Sequence, residues 1–471
     1  MERNLTTDSI PKTIFSFSLP YFLSYFLQTL YGTADLLIIG QFNSVDSTTA
    51  VSIGSQVMHM LTVMIVGLAM GTTVMTGRAV GAQDRRQVNL AVGNTASLFM
   101  LLSVALTAIL LCFVKPIVAV MSTPEEAVSS TISYLTICFL GIPFITAYNI
   151  ISSIFRGIGD SKSPMFFIAI ACAFNIALDY LFIGVLKLGP AGAALGTTLS
   201  QTISVLISLT IICRKRMIPE FHFADLKPVR SMMGGLLKIG FPIAMQDGFI
   251  QIAFIVITII ANRRGLNDAA AVGIVEKMIS LFFLVPSSML STVSALCAQN
   301  IGAGKHDRAS QTLACATTIA VSYGIVISIL MQFTGHHIVS LFSSNADVIR
   351  LGSQYLHSYI WDCVFYRNPL LFQRIFLCLR SFRNLLFTQH SFRCLCPYSA
   401  GLSGIKILSG QPVSHGLCCS GRIPAFCTDL RHCLCVDEKS ARTEGILSMQ
   451  TDRTAHVPAL KHDVIFFCKP P

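Results

Sequence analysis

The sequence is poor in charge. Only 12% of its 471 residues are Asp, Glu, Lys or Arg, about half the usual globular share. By contrast 53% are hydrophobic, and the mean hydropathy is +0.66. A soluble chain with so little charge would struggle to cover its own surface. Recurring apolar runs fit a polytopic membrane protein better than the roughly three soluble domains that length alone suggests. There is no Walker A motif, so no ATP motor is encoded. The GIGD at 157–160 lacks the strand–helix–strand context of a dinucleotide fingerprint. No signal peptide is visible, since MERNLTTDSIPK is polar and leads into a segment too long for an h-region. The 16 cysteines form neither a short secreted disulfide framework nor paired CxxC knuckles, so zinc is not expected. The net charge of +11 does not mark a nucleic-acid binder, because the charges sit in short loops between apolar runs.

What is present is a series of long apolar segments. Spans are expected at 13–40, 50–75, 88–113, 127–154, 163–186, 190–213, 235–261, 269–297, 309–332 and 347–365. The last of these stops short. With the N-terminus in the cytoplasm, the cytoplasmic loops carry 15 Lys and Arg residues and the opposite loops 5. That bias predicts an N-inside, all-α protein. Its first lobe covers 1–213, and a hydrophilic connection at 214–234 joins the halves on the cytoplasmic side. An incomplete second lobe then covers 235–365.

The two lobes share a register. AVSI at 50–53 is matched by AVGI at 271–274, VGA at 80–82 by IGA at 301–303, and Tyr134-Leu135 by Tyr355-Leu356. All three pairs are 221 positions apart, and Pro20 and Pro242 agree within one residue. A shared offset is far harder to obtain by chance than any one short match. The pattern predicts a six-span unit duplicated in parallel, two bundles related by an axis along the membrane normal, a plan that builds transporters with a central site.

Ionisable residues inside these spans stand out. Asp35 lies deep in the first span and Asp179 inside the fifth. Charge in hydrocarbon is costly, so such groups face a cavity or a partner. A close carboxyl pair can take a proton from one side and release it to the other. With Asn175 and hydroxyls as further oxygen ligands, it can instead hold a hard cation such as sodium at Asp35, Asn175 and Asp179. Asn175 and Asp179 are four apart and share a helix face, as do Tyr31 and Asp35. The second lobe offers Asp247 in the seventh span and Glu276-Lys277 in the eighth. Adjacent helical residues do not face each other, so Glu276 and Lys277 do not simply neutralise one another. Met58, Met60, Met64, Met70 and Met75 crowd the second span. Flexible thioethers suit irregular substrates, although packing is the commoner use of such residues.

The chain resembles the MATE family of multidrug and toxin extrusion transporters, in its prokaryotic MepA-like or DinF-like branch. The resemblance covers about 1–365. It rests on Pro20 with Asp35 in YGTADLLIIGQF, RAVGAQD at 78–84, its echo AQNIGAGKHD at 298–307, FRGIGDSKSP at 155–164, FNIALDYLFIG at 174–184 and AGAALGTTLSQ at 191–201. It implies a cation-coupled exporter of twelve spans in two bundles, opening alternately to each side. It adds Tyr134 and Thr197 to the polar site of the first lobe. It further implies proton- or sodium-driven antiport of cationic or amphiphilic small molecules at the inner membrane. No enzymatic activity, cofactor or nucleic-acid partner is expected, and a monomer in contact with membrane lipid is. A flippase for lipid-linked saccharides, of the same superfamily, would call for more basic residues in the cavity than Lys277.

The composition breaks near Phe365. Residues 366–471 hold 9 of the 16 cysteines and 13 of the 34 Lys and Arg. By the 221-residue offset, Phe365 matches Phe144 in mid-helix, so the rest of that span and two more should follow. Instead YRNPLLFQRIFLCLRSFRNLLF carries Arg367, Arg374, Arg380 and Arg383, too much charge to span a bilayer comfortably. Apolar residues use codons with U in the middle; a shifted frame moves that U, and the resulting Phe, Leu, Ser, Tyr and Cys abound here. The expectation is an aberrant, out-of-frame tail. The rivals are a genuine basic tail on a ten-span protein and, at the level of activity, a non-transporting remnant.

Overall fold

The computed structural model describes residues 5–215 and 222–365. Among these there are helices and no strands. The first half holds α1 (Ile10–Phe42), α2 (Val45–Gly81), α3 (Arg85–Val120), α4 (Glu125–Leu140), α5 (Ile142–Ile158), α6 (Lys162–Asp179) and α7 (Gly189–Lys215). The second holds α8 (Arg230–Arg264), α9 (Leu266–Phe282), α10 (Leu284–Gly302), α11 (His306–Ser340), α12 (Ala346–Tyr359) and the short α13 (Asp362–Phe365). Seven of these are long and apolar enough to cross a bilayer, and nine spans result when each of two bent pairs counts as one. They account for the first nine expected spans. The tenth, at 347–365, is α12 followed by four helical residues. The anomalous tail, 366–471, lies outside the described residues.

The duplication is visible in the helix ends. α2 and α3 start at residues 45 and 85, and α9 and α11 start at 266 and 306. α2 ends at Gly81 and α10 at Gly302. Even the turn geometry repeats: Gln83 has φ 55° and its counterpart Gly304 has φ 71°. One copy pays the left-handed strain of a side chain that the other avoids with glycine. The halves differ where prolines differ. α9 and α10 meet at a 41° bend just before Pro286, whereas α2 carries Ile65 at the matching position and runs straight through. The 47° bend between α4 and α5 falls at Gly141, next to Pro143, which cannot supply a helix hydrogen bond.

FRGIGDSKSP is a turn rather than a ligand loop. Gly159 closes α5 with φ 98°, the usual glycine helix stop. Asp160 then accepts from the backbone N–H of Lys162 at 2.9 Å and of Ser163 at 3.1 Å, starting α6.

The halves meet along α2, α8, α10 and α1. Lipid offers no hydrophobic force to drive helices together, so close backbone approach at small residues does much of the work. α2 packs Gly71 on the Leu236 carbonyl and Gly240 of α8 on the Leu68 carbonyl. Toward the Gly81 end, Gly77 lies on Ala298, its own counterpart in the repeat. Across the second pair of helices, Ile14, Phe17 and Tyr21 of α1 bury against Met289, Leu290 and Val293 of α10. The Tyr25 hydroxyl meets Ser291 Oγ at 2.7 Å. Gln299 Nε2 donates to the Gly157 carbonyl at 2.9 Å. The opposite ends of α1 and α8 turn to their own halves: Phe42 packs on Tyr180 and Phe254 on Tyr359.

The connection between the halves is fastened to α3. A 3-10 turn at Phe223–Leu226 lies over Gly93, where any Cβ would strike the Asp225 carbonyl. Ser97 Oγ donates to the Leu226 carbonyl at 2.6 Å, and the Val229 N–H donates to Asn94 Oδ1 at 2.6 Å.

Candidate functional site

α1, α6 and α7 bring four of the expected residues together. Asp35, Asn175 and Asp179 are all buried. Thr197 Oγ1 donates to Asp35 Oδ2 at 3.1 Å and accepts from Asn175 Nδ2 at 3.5 Å. The carboxyl groups of Asp35 and Asp179 stand within hydrogen-bonding reach of each other. Apart from this mutual contact, no protein donor reaches Asp35 Oδ1, either oxygen of Asp179, or Asn175 Oδ1. Buried acceptors are normally satisfied, and here four such oxygens lie open close together. Among the described residues no three His, Cys, Asp or Glu side chains gather. A cation here would therefore meet two carboxylates, an amide and a hydroxyl, an all-oxygen set that favours hard ions.

The local helix chemistry explains the convergence. Immediately after Asp179, α6 widens into a π-helix over Tyr180–Val185, a distortion often found at functional sites. It lies one turn from Asn175, on the face turned to α1. Gly196 of α7 leaves the room: a Cβ there would collide with Asp179 Oδ1. Gly54 of α2 does the same for the Tyr134 ring. Tyr134 is buried, in a core shared with Ile38, Ile39 and Cys138.

Sequence reasoning did not single out Gly196 and Gly54. Their signal was AGAALGTTLSQ itself, a run of small residues beside polar ones, and a glycine inside AVSIG. Thr198 Oγ1 and Gln201 Oε1 on α7 are two further buried atoms without partners.

The second-half candidates do not join this cluster. Asp247 on α8 reaches toward α2, where a Cβ on Gly67 would lie 2.9 Å from its Oδ2. Glu276 on α9 accepts from Thr258 Oγ1 of α8 at 3.3 Å. The two acids thus occupy separate places, one at the junction of the halves and one between α8 and α9.

Comparison with known proteins gives a consistent result. A family model described as MatE matches residues 20–181 and 242–387. The chain is 29% identical over 368 residues to the "Probable multidrug resistance protein YoeA" of Bacillus subtilis (strain 168), covering 76% of this chain and 79% of that protein. It is 24% identical over 359 residues to a "FAD transporter" of Shewanella oneidensis, covering 75% and 78%. Among solved structures, "Crystal structure of MATE in complex with MaL6" superposes with a TM-score of 0.76 at 22% identity, covering 86% of this chain and 90% of that one. That likeness concerns the fold.

Proposed function

Because the chain belongs to the MatE family and is built as a multi-pass membrane transporter, we propose that it is a secondary antiporter. It exports cationic or amphiphilic small molecules across the bacterial inner membrane in exchange for protons or sodium. The observation that carries this reading is the Asp35–Asp179 contact with its open oxygens. Two carboxyls this close, in a buried site, bind a single proton or one cation well. They tolerate both being bare and unpaired poorly. A cation, or a cationic substrate drawing on the same carboxylates, displaces that occupant. Coupling follows if each occupant favours a different arrangement of the halves, since a ligand shifts an equilibrium only by its differential affinity.

With the N-terminus inside, as the loop charges favour, the end sealed by Gly77, Gly81, Ala298 and Gly302 is cytoplasmic, and the arrangement is the outward-open one. Asp247, at the junction with α2, then stands on the second half's side of the path, and Glu276 lies behind it between α8 and α9. The chain acts as a monomer in lipid, without cofactor or nucleic acid.

The family match stops at 387, shortly after the composition breaks. The proposed frame shift lies near codon 365, where the composition changes. Resequencing the DNA decides it: a clean in-frame read of the same tail sinks the idea. The functional test is efflux of a fluorescent cation from vesicles, with the proton and sodium gradients imposed separately. The chain should be compared with a frame-restored version. Efflux by neither version, under either gradient, overturns the transport reading.

A further inference from the structure

The carboxylate site leaves acceptors open. The opposite imbalance occurs around Arg156, near the end of α5.

Arg156 is only 7% exposed. Its Nε donates to the Ser152 carbonyl at 3.0 Å and its Nη2 to Ser153 Oγ at 3.2 Å. A guanidinium has five N–H groups, so these bonds use two of them. The charge itself is unmatched, because among the described residues no carboxylate pairs with it. Asp160, four positions on, is committed to the start of α6, where it accepts from the backbone N–H groups of Lys162 and Ser163 and from the Ser163 hydroxyl. A buried cation without an anion is costly in a membrane helix. The carbonyls at the end of α5 offset part of that cost. So does the Tyr21 ring of α1, whose centroid lies 5.6 Å from the guanidinium carbon.

Two hydroxyls beside the guanidinium have no protein partner. One is Ser152 Oγ, on the residue whose carbonyl takes Nε, and the other is Tyr21 Oη. Both side chains are buried. Tyr21 is held in place, with Phe17 edge-on at 5.5 Å and Tyr25 stacked at 6.5 Å. Unused N–H groups on a buried cation and two unused O–H groups thus gather where α5 meets α1, and all of them can donate. The neighbouring Gly157 carbonyl accepts from Gln299 of the second half, so the cluster lies at the junction of the halves.

We infer that Arg156, Tyr21 and Ser152 hold a small monovalent anion, either chloride or a single carboxylate group. An anion there pairs the charge and satisfies both hydroxyls through charge-assisted hydrogen bonds. The burial of all three side chains restricts the site to a group of that size. It is opposite in sign to the Asp35–Asp179 site and separate from it. Tyr21 and Asp35 are 14 positions apart on α1, about 21 Å along a helix. Anion binding here does not require the transport reading to hold.

The test is the melting temperature of the full chain in phosphatidylcholine nanodiscs as sodium chloride replaces sodium gluconate at constant ionic strength. Gluconate is too bulky for the site. The wild type should gain several degrees, and the gain should saturate as one site fills. Tyr21→Phe keeps the ring but removes one hydroxyl, and Ser152→Ala removes the other. Each should raise the half-saturating chloride concentration about tenfold, the worth of one hydrogen bond to a charged group. Arg156→Gln should abolish the gain, while Arg85→Gln, exposed at the start of α3, should keep it. No gain in the wild type, or a half-saturation unmoved by both hydroxyl variants, overturns the inference. So does an Arg156→Gln protein that loses stability equally in both salts, the mark of a residue that only ties helices together. If Arg156→Gln does not fold, the two hydroxyl variants decide. A fluorescent aryl carboxylate and its uncharged amide separate the sources. A half-saturating chloride concentration raised by the carboxylate alone assigns the anionic group to a substrate, and one raised by neither assigns it to free chloride.

Discussion

Gly81 lies directly on the carbonyl oxygen of Gln299. The duplicated contact is Gly302 on the carbonyl of Arg78, and residues 78 and 299 are themselves 221 apart. The two halves therefore lock at one end through a pair of matching contacts around a pseudo-two-fold axis. Neither glycine can gain a side chain without parting the helices. Gly81→Val and Gly302→Val should each destabilise this closed end by about 1–3 kcal/mol, the usual cost of overpacking. The expected readout is faster thiol labelling of a cysteine placed at Ala298, with lowered efflux at matched expression. Unchanged labelling in both variants would show that the contact does not hold the end shut.

Asp35→Asn tests the carboxylate site. Asn keeps the size of the side chain and can still accept from Thr197, but it cannot take up a proton or balance a cation. Gradient-driven efflux should be lost in the frame-restored chain, and Asp179→Asn should behave alike because the two carboxyls touch. Glu276→Gln should be milder, since Glu276 sits elsewhere and keeps its bond to Thr258. Initial efflux rates at equal membrane expression decide this, and near-normal rates for Asp35→Asn would remove the mechanism.

Gly196→Val probes the same site from the neighbouring helix. Its side chain would enter the space held by Asp179 Oδ1. Transport should fall as in Asp179→Asn, while Gly32→Val, at a glycine with open space around it, should fold and transport normally. A Gly196→Val protein with wild-type coupling would mean that Asp179 can move away without consequence.

Asn94→Ala addresses the connection between the halves. It removes the acceptor of the Val229 N–H and a donor to the Asp225 carbonyl. Losing a buried hydrogen-bond partner costs about 1–3 kcal/mol. A lower melting temperature of the purified protein, and faster proteolysis between 215 and 230, is the expected result. An unshifted melt would show that the loop is not fastened through this residue.

Topology is open to reporter fusions. A reporter after Arg216 should report the cytoplasm and one at Ser44 the outside, as the loop-charge bias requires. A periplasmic signal at 216 would invert the proposed orientation and with it the assignment of the sealed end.

The sequence alone determined the class of the molecule and its duplication. Low charge and apolar runs of bilayer length admit little but membrane helices, because a backbone in lipid must satisfy itself. A constant offset survives in motifs at turns, where glycine and capping chemistry is local. Asp35, Asn175 and Asp179 were legible for a similar reason: polar groups in an apolar helix are conspicuous. What only the tertiary structure decided is which of them meet. Asp35 and Thr197 are separated by 162 positions, and spacing within one helix says nothing about the rotation of its neighbour. Asp247 and Glu276 were visible in sequence as acids within spans, and helix packing sends one to Gly67 and the other to Thr258.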